Sequence, residues 1–221
     1  MGSYYTFHLE LEKLNKKLLN LTALVEDRVR RAAAVIETHD LQQLQSIILS
    51  DYEIDEAEID IEEDCLKVLA LHQPVASDLR FLVTVIKVNN ELERIADMAV
   101  SIANRVSAIA KSPSRTLVKD IDFSQMSDLV TRMLKMSLDA LVNRDVSLAR
   151  QVFLLDDEVD AHRDHVYHAI KDIIRHHPEH PGGLINTYLL ARHLERIADR
   201  TTNIAEETIY LVEGVITRTI S

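Results

Sequence analysis

Leu92-Glu93-Arg94-Ile95-Ala96-Asp97 recurs letter for letter as Leu194-Glu195-Arg196-Ile197-Ala198-Asp199. An internal identity of this length marks a duplicated structural unit. Around the first copy, Val85, Val88, Leu92, Ile95, Ala99, Ile102, Val106 and Ile109 alternate spacings of three and four. That is the apolar stripe of an α-helix, and it predicts one over about residues 76–111. A second set of matches pairs Asp40, Leu49, Asp51, Glu53 and Asp55 with Asp145, Leu154, Asp156, Glu158 and Asp160, a shift of 105 positions where the first block is shifted by 102. The missing three residues fall between consecutive helices, where a duplicated hairpin absorbs them.

The same periodicity covers most of the chain. Leu11, Leu14, Leu18, Leu21, Val25, Ala32 and Val35 predict a first helix over about 7–36. Ile47, Ile54, Ile61 and Val68 predict a second from Asp40 to Leu71, closed by Pro74. Residues 111–122, with Ser112-Pro113-Ser114, lose the pattern and read as a linker. Three more helices follow, over about 123–143, 145–176 and, after a break rich in His, Pro and Gly, to about Arg218. The fold class is therefore all-α: two tandem, sequence-related three-helix bundles, residues 1–111 and 123–221, joined by 112–122. With 4 Gly and 4 Pro in 221 residues, turn-rich folds and Gly-rich phosphate loops lack the positions tolerant of positive φ that they need.

Charge and cysteine usage narrow the function. The single Cys65 excludes disulfides and paired thiolate metal sites and points to the reducing cytoplasm. A net charge of −11 opposes sequence-independent nucleic-acid binding and favours cations or basic surfaces as partners. No apolar run reaches the ~20 residues of a spanning helix, so membrane association would come only through partners.

The duplicated residues are mostly acidic, and four apart: Asp51 with Asp55, Glu93 with Asp97, Asp156 with Asp160, Glu195 with Asp199. Residues at that spacing share a helix face. At about 100° per residue, Glu93 and Asp97 point roughly 150° away from the Val85 to Ile109 stripe. A short turn between the second and third helices makes them antiparallel neighbours, so Asp51 and Asp55 meet Glu93 and Asp97 across the hairpin, with an equivalent set in the second half. Asn203 extends that second set by one turn. Gathered like charges are costly unless a cation sits between them, and oxygen-only ligands favour Mg²⁺, Ca²⁺, Mn²⁺ or oxidised iron. From Asp51 to Asp64 there are nine acidic residues and no basic one, whereas the fifth helix interleaves Arg163 with His162, His165 and His168, so the two sites should differ in affinity. Those histidines read as a solvated helix face, and His8, His39 and His72 as surface or cap residues. The chain contains no Glu-x-x-His pair, no Ser-His-Asp or Cys-His arrangement and no nucleotide fingerprint. A metal-dependent hydrolase or oxidase at the same carboxylates and a metal-free helical interaction protein are the competing readings.

Three further stretches carry a family resemblance. Gln73-Pro74-Val75-Ala76-Ser77-Asp78-Leu79-Arg80, the second copy's continuation Thr202-Asn203-Ile204-Ala205-Glu206-Glu207, and Tyr210-Leu211-Val212-Glu213-Gly214, taken with the repeated hexapeptide, strongly resemble the PhoU family of phosphate-transport regulators. The resemblance implies two three-helix bundles with multinuclear metal clusters, iron in some members, on (Asp/Glu)-x-x-x-Asp pairs. It also implies a non-enzymatic negative regulator of the phosphate regulon that contacts the phosphate sensor histidine kinase and the ATPase of the phosphate ABC transporter, commonly as a homodimer. Carried over, the metal-binding role falls on Asp51, Asp55, Glu93 and Asp97, and on Asp156, Asp160, Glu195, Asp199 and Asn203. Where the family often has Asn, this chain has Ser101, which leaves the first site one oxygen ligand poorer.

Overall fold

A computed structural model describes residues 2–179 and 181–216, with the side chains of residues 2–5 and of Asp51 outside the described set. Seven α-helices and one 3₁₀ turn follow in order: α1 (Gly2–Thr38), α2 (Leu41–Leu49), α3 (Asp51–His72), α4 (Ala76–Ala110), the 3₁₀ turn (Pro113–Leu117), α5 (Ser124–Asn143), α6 (Val146–His176) and α7 (Pro181–Glu213). The all-α reading holds, and the stripes named above are the core: Leu14, Leu21, Val25 and Val35 on α1, Ile54 and Ile61 on α3, and Val88, Leu92, Ile95 and Ile102 on α4 are all buried.

The second predicted helix is in fact two. Ser50 leaves the helical region at φ −88°, ψ 8°, and separates α2 from α3. The cause is tertiary. Buried Arg28 of α1 donates from Nη2 to the Ser50 carbonyl, while Glu53 N–H bonds that same oxygen three residues on in place of the usual four. The break aims α3 independently of α2. At the other end, α7 stops at Glu213, short of the predicted Arg218, which lies outside the described residues. Gly214 takes φ 71° and its N–H bonds the Tyr210 carbonyl, a left-handed C-terminal cap. His72 is also more than a surface residue: its Nε2 lies 2.8 Å from Glu10 Oε2 and its ring packs tilted on Phe7.

The two central helices, α4 and α7, pack against each other and run antiparallel. Cross-links fix their register: Lys87 to Glu207 at 2.8 Å, Arg200 to Glu91 at 3.4 Å and Arg105 to Asn186 at 3.0 Å. In the first half α1 and α3 cover α4; in the second, α5 and α6 cover α7. The 112–122 segment is held down on α7, because Gly183 lets it approach. A Cβ there would come within 2.0 Å of Ser114 Oγ and 2.3 Å of Ser112 Oγ.

Candidate metal centre

Helices α3 and α4 form a tight hairpin. Gln73 closes α3 in the left-handed region (φ 46°) and Val75 starts α4 from an extended conformation, with Pro74 between. One buried polar contact then pins the two helices. Asn89, 1% exposed, donates from Nδ2 to the Glu58 carbonyl at 2.9 Å. This fixes α3 and α4 one turn from the acidic residues.

Asp55 of α3 and Glu93 and Asp97 of α4 converge there, each offering a carboxylate oxygen within 4.8 Å of the others. Asp55 and Asp97 are exposed and Glu93 is half-buried. Burial, then the charges of Asp97, Glu58 and Asp55, push the Glu93 carboxyl up to about 7, and Arg94 offsets this only in part. Glu58 is raised as well, by burial and by Glu62 and Asp55. Among the described residues no ion pair reaches Asp55 or Glu93. The lysines nearby in the fold are engaged elsewhere: Lys17 with Asp60 (2.6 Å) and Asp64 (2.5 Å), and Lys87 with Glu207. Three oxygen donors, one resisting ionisation because it is half-buried among like charges, suit a hard cation. Among the described residues this is the one such group of three; the side chain of Asp51, expected beside it, lies outside them.

The second half arranges the same residue types differently. Asp156 and Asp160 on α6 face Glu195 and Asp199 on α7, and the four influence one another electrostatically. Burial first, then Asp199, Asp160 and Asp157, push Asp156 up to about 6. Burial and Asp160 raise Asp199, against Arg200, Arg192 and Arg196. Glu195 is 8% exposed, and two guanidinium groups reach its Oε1: Arg192 at 2.6 Å and Arg163 at 3.7 Å. Arg163 also bonds Asp160 at 3.3 Å. The Arg163 and Arg192 side chains thus take up negative charge that in the first half has no such partner at Glu93.

Asn203, one turn beyond Asp199, also lines a groove of about 450 Å³ between α3, α4 and α7, with Glu58, Glu62 and Asn90. Its helix belongs to the second half, and the antiparallel α4–α7 packing brings it beside acidic residues of the first as well. Sequence reasoning missed Glu58, although the unbroken acidic run of α3 contains it. His162 and His165 line a separate surface cavity with Asp120 and Asp122, and no histidine joins a three-ligand group among the described residues.

Both halves of the chain are similar to known proteins. The PhoU domain family model matches residues 18–106 and again 123–208. A Clostridium acetobutylicum protein named phosphate-specific transport system accessory protein PhoU homolog is 34% identical over 209 residues, 94% of each chain. The crystal structure of PhoU from Pseudomonas aeruginosa, 32% identical, superposes with a TM-score of 0.86 over 95% of this chain and all of that one. A second, the phosphate transport system regulatory protein PhoU from Streptococcus pneumoniae, is 29% identical, with a TM-score of 0.83 over 96% of this chain and all of its own.

Proposed function

The chain belongs to the PhoU family, and on that premise we propose that it is a metal-binding regulatory adaptor of phosphate uptake. The accessory and regulatory roles in the names of its relatives support a part in regulating phosphate transport. The observation that carries the metal part is the convergence of Asp55, Glu93 and Asp97 with a carboxyl at Glu93 raised to about 7. Burial and then the neighbouring carboxylates raise it, and a bound cation offsets both. We assign the first site to these residues with Asp51, and the second to Asp156, Asp160, Glu195 and Asp199, with Asn203 contributing from α7. The donors suit iron in its oxidised state, Mn²⁺, Mg²⁺ or Ca²⁺.

In this reading the protein is a cytoplasmic, non-enzymatic homodimer of two repeats, 1–111 and 123–221, joined by 112–122. It restrains the phosphate regulon through the phosphate sensor histidine kinase and the ATPase subunit of the phosphate ABC transporter, and meets the membrane only through them. Deletion in the native host should raise expression of the phosphate-uptake genes in phosphate-rich medium; unchanged expression defeats the regulatory reading. Metal analysis of the purified protein should find carboxylate-bound metal, and Glu93→Gln with Asp97→Asn should lower its content. Equal content in parent and variant defeats the site.

A further inference from the structure

Helix α3 packs on α1 and α4 and buries Ile54, Ile61 and Val68. Its remaining face carries Tyr52, Ile59 and Leu66, which are 60%, 53% and 54% exposed. Steps of seven residues keep the three within about 40° of one another around the helix. They form one apolar stripe along the outside of the molecule. Glu56 and Glu63 flank it on one side and Asp55 and Glu62 on the other, all four exposed.

A scattered exposed leucine needs no explanation, but a periodic stripe does. The duplication provides an internal control. At the 105-residue shift, the buried Ile54, Ile61 and Val68 correspond to Val159, Val166 and Ile173, so the core face is apolar in both halves. Tyr52, Ile59 and Leu66 correspond to Asp157, Asp164 and Lys171. The fold therefore has no need of apolar residues at these outward positions, and α3 alone has them.

We propose that this face docks an amphipathic helix with basic side chains, supplied by a different protein. Charge selects the occupant. Helix α3 has nine acidic residues and no basic one from Asp51 to Asp64, and Lys17 offsets only the Asp60 and Asp64 edge. A second copy of this face would set carboxylate against carboxylate on both sides of the stripe, which costs binding energy. A helix with Leu or Ile at heptad spacing and Lys or Arg beside it matches both the apolar stripe and the flanking charge. The inference depends on neither the metal nor the phosphate reading, and its test measures neither.

The probe is a fluorescent peptide of about 18 residues, five helical turns, with Leu on one face and Lys elsewhere, compared with a scrambled peptide of the same composition. At about 0.15 M salt, where long-range charge effects are screened, the full-length protein should bind the amphipathic peptide at least ~10-fold more tightly than the scrambled one. Replacing the stripe by its second-half counterparts, Tyr52→Asp, Ile59→Asp and Leu66→Lys, should weaken binding at least ~10-fold with an unchanged melting curve. Neutralising acids elsewhere, Glu12→Gln with Asp128→Asn, should leave it unaltered. Hydrogen exchange on the unmodified protein, which needs no variant, should show peptide-induced protection in α3. Equal binding of both peptides, undiminished binding by the triple variant, or protection confined to other helices overturns the proposal. So does a homodimer that the triple variant dissociates, since the stripe then belongs to a second copy.

Discussion

The two halves hold equivalent carboxylates on equivalent helices, and burial raises carboxyls in both, yet they differ in how far the chain itself meets that charge. In the second half Arg192 and Arg163 converge on Glu195 Oε1, so part of the charge is met from within the chain, although burial and Asp199 still hold the Glu195 carboxyl above its ordinary range. In the first half Asp55, Glu93 and Asp97 gather more closely, and Glu93 resists ionisation. A duplicated sequence motif therefore does not guarantee duplicated chemistry: what arrives from the neighbouring helix decides whether a carboxylate cluster needs an external cation. The missing Asn at Ser101 weighs against the first site and the two arginines weigh against the second. Titration decides between them.

The sharpest break of the comparison is direct. In metal-free protein titrated with Mn²⁺, Glu93→Gln with Asp97→Asn should weaken the tightest binding event at least ~100-fold, because two of three oxygen donors lose their charge. Glu195→Gln should change that event less than ~3-fold, since Glu195 lies on α7 outside the Asp55, Glu93 and Asp97 group. Calorimetry separates the two, and equal losses would mean that the halves share one site.

The repeat made most of this legible without a structure. Leu92 to Asp97 and its copy placed α4 and α7, and period-four acids put Glu93 and Asp97 on one face. What the sequence could not carry was the contribution of partners distant in the chain. The break at Ser50 depends on Arg28, twenty-two residues upstream and on another helix. Arg192 stands three residues before Glu195, a spacing readable as an ion pair, but the approach of Arg163 from α6 is not readable. Asn203 is a turn beyond Asp199 in one dimension and faces Glu58 and Glu62 across a groove in three.

The built-in neutralisation of the second half can be removed. Arg192→Met leaves Glu195, 8% exposed, without its 2.6 Å partner. With only Arg163 left, 3.7 Å away, the buried carboxylate should cost about 2 kcal/mol of stability, read from the urea midpoint in chelator. If the halves differ only through these arginines, added Mn²⁺ should stabilise the variant more than it stabilises the parent. A smaller loss is expected from Asn89→Leu, which deletes the buried bond to the Glu58 carbonyl; about 1 kcal/mol should go, along with some of the cation affinity of the first site.

The smallest effect separates the halves by pH. Glu93 ionises near 4.5 when unfolded and near 7 when folded, so the folded state holds its proton more tightly through that interval. The group costs nothing below its unfolded value, and its penalty is complete above its folded one. Metal-free protein should therefore lose stability as pH rises from about 4.5 to about 7. For a half-exposed side chain, screened by solvent, this amounts to about 1 kcal/mol. Asp156, moving from 3.8 to about 6, contributes the same sign over a lower window. Glu93→Gln should flatten the upper part of the profile and Asp156→Asn the lower part. Saturating Mn²⁺ should reverse the upper slope, because the cation competes with the proton for the Glu93 oxygens and binds better as pH rises. A metal-bound profile that still falls between about pH 6 and pH 7 would place the cation away from Glu93.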